Sequence, residues 1–190
     1  MKLLEQMIYE KGEILNGNIL KVDSFMNHQI DPDLMEKMGE EFAKHFKEKG
    51  ITKVLTVESS GIAPALMTAL KLQVPVVFLK KAKPSTMQDP VCCDIFSYTK
   101  NKKTTLCMEK KYLNETDRVL FIDDFLANGE AFKGAENIVN ECHAEMVGVG
   151  IVIEKAFQKG HEYIVGKDYD LYSLAEIQSF ENGKIEFKKG

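Results

Sequence analysis

The feature that most restricts the fold of this chain is an abrupt change of character between residues 118 and 134, which read RVLFIDDFLANGEAFKG. The apolar run Val119–Ile122 is typical of a buried strand and leads directly into two adjacent acids, Asp123 and Asp124. A short turn of small residues then precedes a helical pattern that begins near Glu130. A buried strand, a tight turn and a helix in this order predict one βα unit of a sheet covered by helices.

The same alternation recurs along most of the chain, and it indicates the fold class. Uninterrupted apolar runs such as VPVVFL at 74–79 indicate strands that are buried on both faces, as in a parallel sheet. With 190 residues, 44% hydrophobic and 28% charged, the chain is sized for one ordinary domain. The predicted class is α/β, a mostly parallel sheet flanked by helices. The predicted strands are Lys53–Val57, Val74–Leu79, Arg118–Ile122 and Met146–Ile153, and the predicted helices are 2–11, 31–49, Ile62–Leu72 and Glu130–Cys142.

Charge and composition argue against several classes of protein. The formal net charge is -4, whereas nucleic-acid binders usually present a basic face. The longest buried-looking run, Met146–Ile153, is far shorter than the roughly 18 apolar residues that a membrane helix needs. Met1–Leu15 shows no secretory signal, so we expect a cytoplasmic protein. Because disulfides are rare there, we expect four unlinked cysteines: Cys92, Cys93, Cys107 and Cys142.

The turn after the two acids has the chemistry of a phosphate site. It reads Ala127-Asn128-Gly129-Glu130-Ala131, and free N–H groups and the dipole at a helix start favour an anion there. Gly129 lets the backbone approach closely. A sugar phosphate would suit both parts, because Asp123 and Asp124 can accept hydrogen bonds from two ribose hydroxyls while the turn binds the phosphate. The alternative is a strand that ends in solvated acids and an Asn-Gly turn.

A second βα turn offers another site for an anion. Residues 53–67 read KVLTVESSGIAPALM, which is a strand, a Ser-Ser-Gly turn and a helix. The hydroxyls of Ser59 and Ser60 and the backbone around Gly61 supply donors at a helix N-terminus. A plain βα turn with serine caps is the alternative.

These segments together resemble the type I phosphoribosyltransferase family, in which an apolar strand, two acids and a short loop of small residues bind phosphoribosyl diphosphate (PRPP). Two more segments, LKVDSFMNHQIDP at 20–32 and GIVIEKAFQ at 150–158, extend the resemblance over nearly the whole chain, in particular to the bacterial members that act on xanthine. The resemblance implies the type I phosphoribosyltransferase fold, with one domain over residues 1–190. Within it, about residues 1–30 would form an N-terminal hood and about 31–190 the core.

The resemblance also implies roles for individual residues and partners. Leu20, Asn27 and Lys155 would bind xanthine, with Lys155 donating to a carbonyl oxygen of the purine. The turn Ala127–Ala131 would bind the ribose phosphate. Mg²⁺ would arrive with PRPP, and a cytoplasmic homodimer would make xanthosine 5′-monophosphate in purine salvage, with no nucleic-acid or membrane partner. The acids Asp123 and Asp124 would bind the ribose, and Ser59, Ser60 and Gly61 the diphosphate.

Several points stay open at this stage. The family's phosphate loop often carries hydroxyl residues and this one has none, so the role of the Glu130 side chain is unsettled. The segment 82–103 is expected to be a lid or a plain surface hairpin, with Lys80 and Lys81 as candidates to close over the diphosphate. Leu20 could be ordinary core, Asn27 a turn residue and Lys155 part of a surface ion pair. Other functions that fit are guanine or hypoxanthine phosphoribosyltransfer, non-catalytic PRPP sensing, and phosphate binding by an unrelated module.

Overall fold

Within residues 1–97, 102–181 and 184–188, which the computed structural model describes, a six-stranded sheet carries helices on both faces. The first part contains α1 (Lys2–Lys11), β1 (Glu13–Leu15), β2 (Ile19–Lys21), a π-helical turn (Asp23–Asn27), α2 (Pro32–Phe46), β3 (Lys53–Val57), α3 (Ile62–Leu72) and β4 (Val76–Leu79). The second contains β5 (Pro90–Ser97), β6 (Lys102–Glu109), β7 (Arg118–Leu126), α4 (Glu130–Glu141), β8 (Glu145–Lys155), α5 (Lys159–Val165), β9 (Leu171–Glu181) and β10 (Lys184–Phe187). Short 3₁₀ turns follow α2 and β6, at Lys47–Lys49 and Lys110–Tyr112.

The main sheet has the strand order β10-β9-β8-β7-β3-β4. Strands β9, β8, β7, β3 and β4 run parallel, and β10 pairs antiparallel with β9 at one edge. Because β3 and β7 are neighbours, the turns that follow them meet at the same edge of the sheet, where parallel α/β sheets bind ligands. The predicted α/β class with a mostly parallel sheet is confirmed.

Helix α2 shows how the sequence produces this packing. Asp31 caps it by accepting from the Leu34 N–H at 3.1 Å, and Pro32 occupies its first turn. Its apolar residues recur every four positions, so they form one stripe that is buried against the sheet, and each large side chain stabilises the fold by about 1.5–3 kcal/mol. The stripe consists of Leu34, Met38, Phe42 and Phe46.

Each face of the sheet carries a hydrophobic core. Helices α1, α2 and α3 cover one face together with the N-terminal residues, where Phe25 and Phe42 are among the largest fully buried side chains. Helices α4 and α5 and the β5–β6 pair cover the other face, where the rings of Phe121 and Phe132 meet edge to face at 5.6 Å. No helix in the described part of the chain is long and apolar enough to cross a membrane.

Strands β5 and β6 form an antiparallel hairpin outside the main sheet. This confirms that the segment 82–103 leaves the βα rhythm, although residues 98–101 lie outside the described residues. The hairpin packs closely on α4, since a Cβ atom at Gly134 would lie 2.6 Å from Ile95 Cγ2 and 2.8 Å from Leu106 Cδ1. The hairpin is therefore fixed against the helix that begins at the predicted phosphate loop.

The prediction of four unlinked cysteines is wrong for two of them. Cys92 and Cys107 lie opposite one another in the hairpin, with Cα atoms 4.2 Å apart, and form a disulfide. The backbone N–H and C=O of Cys107 are both bonded to Lys80, so the pair facing Cys92 is the non-hydrogen-bonded kind, in which side chains are closer. Spacing in the sequence could not show this, because the pairing depends on hairpin register. Cys93 and Cys142 are free thiols.

Candidate active site

A cavity of 290 Å³ opens at the carboxyl ends of β3 and β7. The acid pair, the whole 127–131 turn and part of the Ser-Ser-Gly turn line it, as the sequence predicted. The hairpin contributes Ile95, which lies in the segment 82–103 that was expected to be a lid or a surface hairpin, and Thr104 just after it. The principal residues that line the cavity are Glu58, Ser60, Lys81, Ile95, Thr104, Asp123, Asp124 and 127–131.

The acid pair lies inside β7, which extends to Leu126 instead of ending at the predicted Ile122. The reason is β8, which continues alongside it and pairs Asp123 with Ile151 and Leu126 with Glu154. Each acid accepts a hydrogen bond from the next backbone N–H, at 3.0 Å in both cases. The pair is thus held on a strand and not on a loose connection.

The two acids have different surroundings. Asp123 is 7% exposed, whereas Asp124 is only partly buried. Burial, and then the adjacent charge of Asp124, raise the pKa of Asp123 well above its usual value, and Lys81 offsets this only in part. The oxygen atoms of both acids can accept hydrogen bonds, so the pair suits two neighbouring hydroxyl groups.

The predicted phosphate loop, residues 127–131, is a turn that leads into α4. Gly129 caps α4 with φ +80°, a left-handed conformation that glycine adopts without steric cost. The N–H groups of Glu130, Ala131 and Phe132 begin the helix and so have no acceptor within it. They are available, together with the helix dipole, for an anion in the cavity.

The Glu130 side chain, whose role was unsettled, is paired. Its Oε1 accepts from Lys133 Nζ at 2.7 Å, one turn along α4. The same ammonium lies 5.0 Å from the centre of the Tyr163 ring. The lysine therefore balances the carboxylate charge that would otherwise oppose an anion at the start of the helix.

Only part of the Ser-Ser-Gly turn lines the cavity. Ser60 lines it, whereas Ser59 is exposed to solvent. Gly61 is buried against the acid pair, since a Cβ atom there would collide with the Thr56 hydroxyl and lie 2.9 Å from Asp123 Oδ1. Only glycine fits at this position without moving the acids.

Glu58 is a lining residue that sequence reasoning missed. Its Oε1 accepts from the backbone N–H of Lys81 at 2.7 Å, which ties the segment after β4 to the turn after β3. Its position directly before the Ser-Ser-Gly turn was the available signal. Of the two lysines predicted to close over a diphosphate, Lys81 lines the cavity, but the Lys80 ammonium lies over the Phe78 ring at 5.1 Å.

The three residues predicted to bind a purine do not line this cavity. Leu20 is 6% exposed and belongs to the core, and Asn27 is exposed at the end of the π-helical turn. Lys155 ends β8, and its ammonium donates to the Asn18 carbonyl oxygen at 2.9 Å. Burial lowers the pKa of Lys155. Lys155 follows Glu154, the strand partner of Leu126, and so lies beside the phosphate loop.

Sequence comparison decides the family. The chain is 53% identical over 188 residues to the xanthine phosphoribosyltransferase of Lactobacillus delbrueckii subsp. bulgaricus, a match that covers 98% of this chain and 100% of that protein. The xanthine phosphoribosyltransferase of Macrococcus caseolyticus is 53% identical over 186 residues, covering 97% and 96% of the two chains. The chain belongs to the xanthine phosphoribosyltransferase family. That of Oenococcus oeni is 50% identical over 190 residues, covering 100% of this family member and 92% of that protein. No protein-family model matches the sequence.

Solved structures place this family member in the type I phosphoribosyltransferase fold. The adenine phosphoribosyltransferase of Thermoanaerobacter pseudethanolicus is similar with a TM-score of 0.76 at 20% identity, over 92% of this chain and 98% of that one. The enzyme from Trypanosoma brucei, in complex with AMP, pyrophosphate and ribose-5-phosphate, gives 0.73 at 21% identity, over 92% and 78%. The predicted fold is confirmed, and at these identities the likeness concerns the fold alone.

Proposed function

We propose that this protein transfers the 5-phosphoribosyl group of PRPP to N9 of xanthine, giving xanthosine 5′-monophosphate and diphosphate, in purine salvage. One observation carries the proposal: an acid pair and a bare phosphate loop share one cavity in a chain of the xanthine phosphoribosyltransferase family. In the T. brucei relative by fold, the bound molecules include pyrophosphate and ribose-5-phosphate, which are parts of PRPP.

The residues of the cavity suit a reaction that needs positioning more than a nucleophile from the protein. The 127–131 turn would bind the 5′-phosphate through backbone N–H groups, and Asp123 and Asp124 the ribose hydroxyls. Ser60, with Ser59 and Gly61, would bind the diphosphate. As N9 forms its bond to C1, the bond from C1 to the diphosphate oxygen breaks, and its electron pair leaves with the diphosphate. The carboxylates would stabilise the positive charge that develops on the ribose.

Xanthine would lie beyond the phosphate loop, near the end of β8. We assign Lys155 to a purine carbonyl oxygen, because a cation there favours the partly anionic form of this acidic base. To do so its ammonium would leave the Asn18 carbonyl, which holds it at 2.9 Å. Asn27 and Leu20 stay proposals, as does the division into a hood of about residues 1–30 and a core of about 31–190.

Mg²⁺ would enter with PRPP. The described residues contain no cluster of three or more His, Cys, Asp or Glu that could bind a metal without substrate. They do place Glu58 and the acid pair on the cavity wall, and Mg²⁺ is usually bound by one or two carboxylates plus substrate phosphates. Bound in this way, the ion would neutralise charge on the departing diphosphate.

We also propose a homodimer. Helix α3 exposes Leu66 and Leu70 one turn apart, at 53% and 65%, and the edge strand β4 exposes Phe78. Exposed apolar residues on a sheet edge and its neighbouring helix are typical of an interface between subunits.

A cytoplasmic location follows from the salvage function. The Cys92–Cys107 disulfide opposes it, since persistent disulfides are rare in that compartment. Alkylation of protein from fresh lysate under denaturing conditions tests the location. A reducing compartment would leave all four cysteines as thiols that can be alkylated, whereas the disulfide would leave only two.

An assay with PRPP, Mg²⁺ and xanthine, guanine, hypoxanthine or adenine tests the function. We expect nucleotide formation to be fastest with xanthine. A preference for guanine or hypoxanthine would make the protein a phosphoribosyltransferase of another base, and PRPP binding without turnover would favour a regulator. Asp124→Ala should keep the fold but reduce transfer by about 100-fold, because it loses charge-assisted hydrogen bonds to the ribose. Full activity of that variant would contradict the ribose assignment.

A further inference from the structure

Gly160, in the first turn of α5, packs against the phosphate loop backbone to backbone. Its N–H donates to the Ala127 carbonyl oxygen at 2.9 Å. A Cβ atom at Gly160 would lie 2.6 Å from that oxygen, 2.6 Å from Leu126 Cδ1 and 3.0 Å from the Gly129 nitrogen. Gly160 is buried, so no rearrangement toward solvent would relieve these contacts.

The contact is reciprocal. A Cβ atom at Gly129 would lie 3.1 Å from Gly160 Cα. The two backbones can therefore approach one another this closely because neither residue has a side chain. Gly129 needs its left-handed backbone as well, whereas Gly160 lies in a regular helix that alanine could adopt. Glycine is therefore needed at position 160 only because a side chain there would occupy space that the phosphate loop fills.

Helix α5 is a rigid support for this contact. Near its start, the buried Glu154 carboxylate is paired with His161. At its other end, Glu136 of α4 accepts from Tyr163 at 2.7 Å, from Lys167 at 2.8 Å and from Tyr169 at 2.8 Å. Because both ends of α5 are fixed, a larger residue at position 160 would displace the loop and not the helix.

The same segment begins at the lysine assigned to the base. The turn from β8 to α5 is short, and the Gln158 N–H closes it on the Lys155 carbonyl oxygen at 2.9 Å. The end of β8 that carries Lys155 and the helix that braces the phosphate loop are therefore parts of one compact segment, 155–160.

We propose that Gly160 is a positioning residue of the transferase: it sets the phosphate loop at the distance from the Lys155 segment that a purine and a ribose phosphate require. The inference rests on the proposed function. It assigns no chemistry to Gly160, which acts through the backbone of Ala127 and Gly129. Its loss should weaken binding of the 5′-phosphate, which is present in substrate and transition state alike.

Steady-state kinetics of Gly160→Ala test this. We expect KM for PRPP to rise by about 10- to 100-fold, because displacement of a binding group by about 1 Å has effects of this size, while kcat at saturating PRPP changes by less than about threefold. Glu162→Ala is the matched control, an alanine substitution at an exposed residue of the same helix, and should leave both constants unchanged. A KM for PRPP equal to that of the unmodified protein would overturn the inference.

Hydrogen exchange in the unmodified protein gives a second test, which decides the matter even if Gly160→Ala fails to fold. Saturating ribose 5-phosphate should slow exchange of the Gly160 amide by about tenfold, because it holds the Ala127 carbonyl in place, and should leave the Gly166 amide unaffected. Unchanged exchange at Gly160, with shifted signals from residues 127–131 proving that the ligand is bound, would refute the positioning role. If the unmodified protein neither binds nor turns over PRPP, the proposed function itself fails.

Discussion

Asp123 and Asp124 are neighbours in sequence and both line the cavity, yet the fold buries Asp123 and leaves Asp124 partly exposed. Asp123 is almost fully buried, and its raised pKa means that, as the pH rises above 3.8, the unfolded chain releases the Asp123 proton before the folded protein does. Folding stability therefore falls as the pH rises above the ordinary Asp pKa of 3.8 toward the raised value.

Asp123→Asn should consequently stabilise the protein at neutral pH while it impairs ribose binding. Asparagine cannot ionise, so the penalty disappears, and we expect the melting temperature to rise by about 2–4 °C at pH 8 for a gain on the order of 1 kcal/mol. The gain should vanish near pH 4. Asp33→Asn, at an exposed acid in the first turn of α2, is the control and should give no gain. A variant less stable than the unmodified protein at pH 8 would show that the ionised carboxylate is favourable in the fold.

Substitution of Lys155 tests whether this residue binds the purine base. Lys155→Met keeps most of the apolar stem but removes the charged donor, so kcat/KM for xanthine should fall by about 10- to 100-fold, the loss expected for one charged hydrogen bond. Lys159→Met, at an exposed lysine in α5, should have little effect. If both variants match the unmodified protein in the xanthine assay, Lys155 does not contact the base, and its bond to Asn18 is structural.

At the scale of elements, Glu136 joins α4 to the segment that contains α5 and leads into β9. Burial alone would raise the pKa of Glu136, but hydrogen bonds from Lys167, Tyr163 and Tyr169 outweigh this and hold it below its ordinary value of 4.5. The same arrangement raises the pKa of Tyr169 to about 12, through burial and the bond to Glu136. A carboxylate with a lowered pKa contributes stability above its unfolded value, and this contribution is lost as the pH falls through the folded value.

Glu136→Gln should therefore destabilise the protein by about 2 kcal/mol at pH 7, because the lysine loses its charged partner and a buried acceptor is lost. Urea denaturation measures the difference, which should shrink as the pH falls below 4.5. Glu141→Gln, at an exposed acid at the end of α4, should change the free energy of unfolding by less than about 0.5 kcal/mol. Equal stability of Glu136→Gln and the unmodified protein at pH 7 would mean that the network contributes no net energy.

At the scale of the whole molecule, the apolar surface of α3 and β4 predicts the oligomeric state. Light scattering should give twice the 21.5 kDa mass of one chain. Charge at the centre of an interface is costly, so the double variant Leu66→Glu with Leu70→Glu should shift the protein to monomers. Tyr9→Glu, at a residue of α1 that is 67% exposed, should leave the mass unchanged. A monomeric unmodified protein would refute the homodimer.

Local physics in the sequence determined most of the architecture. Apolar runs marked the strands, Asp31 and Pro32 marked the start of α2, and the Asn-Gly turn after two acids marked the turn between β7 and α4. These features depend on residues only a few positions apart. Their periodicity, capping and backbone freedom do not require contacts with distant parts of the chain. The family resemblance added the xanthine, ribose and diphosphate roles, which the described geometry leaves as proposals.

Only the tertiary structure decided the contacts between segments that are distant in sequence. The position of the hairpin over α4 brought Ile95 and Thr104 to the cavity, and its register paired Cys92 with Cys107. Because β8 pairs with β7, β7 continues through the acid pair. The helix α5, which follows β8, then places Gly160 against the phosphate loop. No local pattern encodes such contacts, because they arise from strand order and packing, which the chain settles only when all its elements are assembled.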